Sequence, residues 1–296
     1  MAKLTCLSPL KFYTDVKLQN RYRSFAYGHI APLITSFNNI SPFQFSLVYS
    51  GAFSKISEVF LYDANTNEQI SGNLISQFFD NGLSTYNTSG IITVLFDGRL
   101  PLSNILKYEG QYYLSVSVLF NNSSEKVVCY SEVFCYTNNI DDCIKIEYWN
   151  PENSFNLKNG QIVFSNNFHF ILYLKTELGK PEYSFEEEVT KRLGYSFIES
   201  QVSKKTYKFN CIVPEYLCDA MRIIRLCSNK KIYYKNEEYD ALTFDMSVEW
   251  QEQGDLASVN CEFDVDNIIV NLGGYQHANY GGDFDSASYD ESFNVE

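Results

Sequence analysis

Lys205–Cys227 reads KTYKFNCIVPEYLCDAMRIIRLC, and this stretch decides the fold. Tyr207, Phe209, Cys211 and Val213 alternate with Thr206, Lys208, Asn210 and Ile212, the two-residue period of a strand. Pro214 ends the ladder and suits the first turn of a helix, where a missing N–H costs nothing. Leu217, Ala220, Met221 and Ile224 then recur at helical spacing as one apolar stripe. Glu215 lies near the positive end of the expected helix, Arg222 and Arg225 near its negative end, and Asn229 is a stop signal. The stretch predicts a strand followed by a helix over Pro214–Cys227 that packs back on the sheet.

Working outward, the rest of the chain reads as strand. The whole chain has 23 Tyr and 23 Phe against 7 Pro and 15 Gly, a load of flat side chains that suits pleated surfaces. A net charge of −13 argues against a general nucleic-acid binder, since phosphate affinity rests on Lys and Arg. Met1–Asn20 lacks the continuous apolar segment of a signal peptide, and no apolar run approaches the roughly 20 residues of a membrane helix. The expectation is a soluble protein made in the cytoplasm. The eight cysteines form no CxxC pair and have no histidine pair beside them, so they read as reduced core residues rather than zinc ligands. No cofactor is expected.

The chain divides into four parts. Residues 1–40 form an extended arm with five bases (Lys3, Lys11, Lys17, Arg21, Arg23) and one acid, Asp15. Interleaved aromatics would also suit single-stranded nucleic acid, but an arm that packs on a neighbouring subunit or on its own domain fits an acidic chain better. Residues 41–137 contain six alternating runs: Phe43–Tyr49, Ile56–Asp63, Gln69–Phe79, Ile91–Phe96, Tyr112–Phe120 and Lys126–Tyr136. With turn residues between them, they predict a β-sandwich. Residues 138–272 predict a second β-rich domain around the helix, with a hairpin of Leu242–Trp250 and Ala257–Val265. Within it, Thr176–Ser203 reads as a long charged loop. Residues 273–296 form a tail with five acids, no base, and Tyr275, Tyr280, Phe284, Tyr289 and Phe293 at a spacing that fits neither strand nor helix. The fold class is therefore mainly β: a sandwich, a second β-rich domain with one main helix, an N-terminal arm and a C-terminal tail.

The search for chemistry is short. Three histidines (His29, His169, His277) stand in no nucleophile or metal motif, and no GxSxG, P-loop or HExxH occurs. Glu186–Glu188 could bind a cation, but three adjacent carboxylates in a loop read as a solvated surface. Trp149 and Trp250 could form a sugar platform, although Trp250 continues the apolar alternation of its strand and reads as core. No catalytic residue is assigned.

Four segments carry a resemblance: Tyr130–Phe134 (YSEVF), Glu177–Glu188 (ELGKPEYSFEEE), Lys205–Cys227 and Trp250–Phe263 (WQEQGDLASVNCEF). Over about Ser41–Leu272 the chain resembles structural proteins of tailed phages and prophages of gut Bacteroides-type bacteria. The resemblance implies a virion component of the tail or baseplate, made in the host cytoplasm, with other virion proteins as partners and no catalytic role. A carbohydrate- or receptor-binding β-sandwich at a tail tip, and a glycan-degrading enzyme, are the alternatives. An exposed Trp149 or Trp250 would favour the first, a cleft with two facing carboxylates the second. The opposite charge of arm and tail leads to a homo-oligomer expectation, with Tyr275, Tyr280, Phe284, Tyr289 and Phe293 as anchors and Lys11, Lys17, Arg21 and Arg23 as their receptor.

Overall fold

The computed structural model describes residues 2–23, 33–35, 39–50, 52–106, 108–120, 125–137, 140–152, 154–165, 167–192, 195–250 and 256–271. The tail and its five aromatic anchors lie outside the described residues. Along the chain run β1 (Lys3–Thr5), β2 (Phe12–Tyr13), β3 (Leu33–Thr35), β4 (Phe43–Val48), β5 (Phe53–Asp63), β6 (Leu83–Thr88), β7 (Ile91–Phe96), β8 (Gly110–Phe120), β9 (Lys126–Ser131) and β10 (Phe134–Tyr136). The second half adds β11 (Cys143–Trp149), β12 (Ser154–Leu157), β13 (Gly160–Val163), β14 (Phe170–Lys175), β15 (Glu182–Arg192) and β16 (Tyr195–Pro214). It ends with β17 (Asn229–Tyr234), β18 (Glu237–Asp240), β19 (Asp245–Trp250) and β20 (Leu256–Asn271). The α-helices are α1 (Asn20–Arg23), α2 (Ile75–Asp80) and α3 (Glu215–Ile224). The mainly-β class holds, and no helix among the described residues is long and apolar enough to cross a membrane.

Two sheets form the first half. One has the order β1-β4-β7-β6; in the other, β8 carries β5 on one edge and β9 and β10 on the opposite one. Inward-facing Phe43, Phe45 and Phe96 meet Phe12 and Phe78 in a tilted aromatic cluster, with centroids 4.6–5.3 Å apart for four of its pairs. Two expectations are corrected here. Gln69–Phe79 is not one strand: Leu74 and Phe78 recur four apart, a helical spacing, and Ile75–Asp80 is α2 with Phe78 buried. Lys126–Tyr136 is broken between Ser131 and Phe134, where the Ser131 hydroxyl takes the Leu114 N–H at 2.9 Å in place of a ladder partner.

The arm is less irregular than its composition implies. β1 pairs with β4 in one sheet and β2 with β9 in the other, so one short segment closes both sheets of the sandwich. Edge pairing satisfies its backbone at little cost in length.

In the second half, a sheet β14-β11-β17-β18 and a sheet β15-β16-β20-β19 share a core with α3. The β12–β13 hairpin lies against β4: Gln44 accepts from Val163 N–H at 2.9 Å, and Gln161 N–H donates to Ser46 Oγ at 3.2 Å. Gly160 permits this approach, because a Cβ there would stand 3.0 Å from Ser46 Cβ and 3.1 Å from Thr5 Cβ. A single cluster of buried side chains runs from Cys6 in the arm to Phe263 in β20. The expected strand–Pro–helix unit is present. Pro214 is the residue before the helix rather than its first, and Leu217, Ala220, Met221 and Ile224 are buried. All eight cysteines are unbridged, seven of them buried.

Candidate assembly surfaces

The residues expected to receive a neighbour divide unevenly. Arg21 is used within its own chain: its Nη1 donates to the Ala64 carbonyl and its Nη2 to Asn67 Oδ1 at 2.6 Å. Its guanidinium also lies over Tyr22 and Tyr113, 4.5 and 4.7 Å from the ring centroids. Lys11 stands 3.9 Å from Asp219 on α3 and 5.7 Å from the Tyr13 ring, and so ties the arm to the second half. Lys17 is exposed, and Arg23 ends α1.

The arm is pinned by Glu132, a fully buried carboxylate in the break between β9 and β10. Asn20 N–H donates to Oε1 at 2.9 Å, Val133 N–H to Oε1 at 3.2 Å, and the Tyr13 hydroxyl to Oε2 at 3.0 Å. Burial raises its pKa above the usual carboxylate value, and these donors pull it back only in part. Composition gave no sign of this carboxylate, although it sits inside the YSEVF segment.

The largest departure from expectation is Thr176–Ser203. This charged stretch is not a loop: it supplies β15 and the first half of β16. The loop before it crosses close to the sheet, Gly179 N–H donating to the Lys208 carbonyl at 2.8 Å, and a Cβ on Gly179 would lie 2.8 Å from that oxygen. β16 has 20 residues and β20 has 16, so at about 3.3 Å per residue β16 is roughly 65 Å long. Only its C-terminal third lies under α3. Outward of Tyr207, no described residue of β15, β16 or the outer part of β20 (264–271) is buried.

Register assigns the two faces of this three-stranded ribbon. Glu182, Ser184, Glu186 and Glu188 pair with Thr206, Lys204, Val202 and Ser200. Asp264, Asn267, Ile269 and Asn271 complete these rows. This face is charged, with Lys204 on Glu186 and Lys208 on Glu182, both at 2.6 Å. The opposite face carries Tyr183, Phe185 and Glu187 beside Lys205, Ser203 and Gln201, with Asp266, Ile268 and Val270 beyond them. Two bulges keep it apolar. One leaves Val265 unpaired; the other, after Glu188, sets Ile198 opposite Val189 on the same side as Phe185. Tyr183, Phe185, Val189, Ile198, Ile268 and Val270 are all exposed, Phe185 at 75 % and Ile268 at 66 %. This face continues the one that carries Tyr207, Phe209 and Cys211 under α3. Because strand residues alternate, Glu186 and Glu188 point away from Glu187, so the three carboxylates do not converge on one cation.

Two polar surfaces complete the survey. A cleft of about 690 Å³ lies on the charged side near the base of the ribbon, lined by Glu177, Lys208, Asn210, Asp245, Asn260 and Glu262 among others. Asp245 and Glu262 are register partners across β19 and β20, and Arg225 holds Asp245 at 2.7 Å. On the outer side of β11, Trp149 stacks on His169 at 4.2 Å. His169 Nδ1 meets Glu147 Oε1 at 2.6 Å, and Lys145 reaches Oε2 at 2.9 Å. Burial alone would raise the Glu147 pKa, but the His169 and Lys145 contacts outweigh it and hold it below the usual value. Trp250 is not core: it is 53 % exposed, at the end of its strand, opposite Ala257. Alternation assigned its face correctly, and its place at the strand end leaves it without cover.

No family model matches this chain, and no curated protein is significantly similar to it.

Proposed function

We propose that the protein is a structural component of a tailed-phage virion, of the tail or baseplate, which assembles through subunit and partner contacts and carries no catalytic role. The observation that carries this reading is the uncovered ribbon. A sheet whose inner half is core continues outward with six exposed apolar side chains on the same face. Covering a fully exposed Phe or Ile gains about 1.5–3 kcal/mol, so this face gains most of its stability from a partner. The resemblance of Glu177–Glu188 and Lys205–Cys227 to phage structural proteins falls on the same sheet. The test is mass spectrometry of particles released from the host: peptides of this chain in purified virions, at a fixed ratio to known virion proteins, are expected. Their absence would overturn the reading, and so would saturable hydrolysis of peptidoglycan or host polysaccharide abolished by Asp245→Asn or Glu262→Gln.

A second reading, a carbohydrate- or receptor-binding protein at the tail tip, is favoured by the exposure of Trp250, whereas Trp149 is partly buried against the core. Binding of host polysaccharide that is lost in both Trp149→Ala and Trp250→Ala would support it.

A further inference from the structure

We infer that the apolar face of the ribbon packs against the same face of a second copy of this chain. This rests on the assembly reading above and names the partner. The first support is layering. Near the body, the face is covered by α3 and by Tyr239, whose ring lies 4.9 Å from Tyr207. Beyond Tyr207 no described residue covers it, and the missing layer must match a twisted three-stranded sheet; an identical ribbon does. The second support is area. Tyr183, Phe185, Val189, Ile198, Ile268 and Val270 expose on the order of several hundred Å² together, at the upper end of what a monomer shows and close to one side of a standard interface.

Charge selects the face. Copies of a chain with net charge −13 repel one another, so they meet where charge is locally balanced. Among the described side chains, the apolar face carries Glu187 and Asp266 against Lys191 and Lys205, and these balance. Among the described side chains, the opposite face carries Glu182, Glu186, Glu188, Glu262 and Asp264 against Lys204 and Lys208 and is acidic.

The experiment is sedimentation equilibrium of the full chain over a wide concentration range, with circular dichroism to confirm folding. Wild type is expected to dimerise reversibly. Phe185→Asp/Ile268→Asp should weaken the dimer by about 100-fold or more, because these are the two most exposed apolar side chains of the face. Ile269→Asp, 60 % exposed in wild type but on the acidic face, should change it by no more than about threefold. A wild type that stays monomeric, a double variant that associates like wild type, or an Ile269→Asp variant that loses as much as the double variant would each overturn the inference. A monomer that is still found in virions overturns the self-packing and leaves the virion reading intact; a dimer missing from virions does the reverse.

Discussion

The inner and outer halves of one strand, β16, make the sharpest comparison in the molecule. Tyr207–Val213 and Tyr195–Lys205 share a strand, a sheet and a pleat. In the inner half the odd-numbered side chains are buried under α3; in the outer half no described side chain on the same side of the sheet is buried. Alternation therefore fixes which way a side chain points, and a separate covering layer decides whether it becomes core. Apolar residues without a layer are surface waiting for one.

The comparison breaks most visibly in stability. Phe263, fully buried and stacked 5.7 Å from Tyr207, belongs to the inner half. Phe263→Ala should cost about 3–5 kcal/mol in urea unfolding. Ile268→Ala, a few residues along the same strand, should shift monomer stability by about 0.5 kcal/mol or less. Equal losses would mean that the ribbon is covered within its own chain.

The next largest effect concerns Glu132, a covered acid. Glu132→Gln turns an acceptor toward the Asn20 and Val133 N–H groups into a partial donor, at about 1–3 kcal/mol. Limited proteolysis within residues 14–23 should speed up as the arm loosens. The pH dependence has a definite sign. Because the folded pKa is raised, the folded state holds this proton more tightly, so stability falls as pH rises from the ordinary Glu value through the folded one. Glu132→Gln should remove that slope.

Glu147 gives the opposite sign. Its folded pKa is depressed, so its contribution is full above the ordinary Glu value and is lost as pH falls through the folded one. His169→Ala should cost about 1 kcal/mol at neutral pH and flatten this acid limb of the stability curve.

The smallest effect belongs to the exposed ribbon pairs. Lys204→Met removes the contact to Glu186 in open solvent, and the urea midpoint should not move measurably.

The inner half was legible in the sequence because strand period, Pro214 and helical stripe follow one another without interruption. The outer half was not. Tyr183, Phe185 and Val189 keep the period of two, but Glu186–Glu188 fill three successive positions and resemble a solvated loop. The skipped residue between Ser200 and Ile198 then shifts the phase. The Tyr183–Phe185 alternation was the available signal. The break at Ser131–Phe134 was hidden for a related reason, since a buried Glu132 has no apolar signature. In the arm, pairing of β1 and β2 depends on distant edges that no local pattern reports. Trp250 was misjudged because periodicity carries direction without depth.

The unpaired Val265 has a consequence for how such a ribbon can change over generations. It acts as a phase shifter: it sends Ile268 and Val270 to one side and Ile269 to the other. Pairing that residue in a regular ladder, instead of leaving it out, would trade two anchors for one and turn Asn267 onto the apolar side. Removing two residues beyond it would shorten the strand and leave every remaining side chain on its own side. The outer strands can therefore lengthen or shorten in even steps of paired residues while keeping their two faces distinct, and an odd step among the paired residues exchanges them.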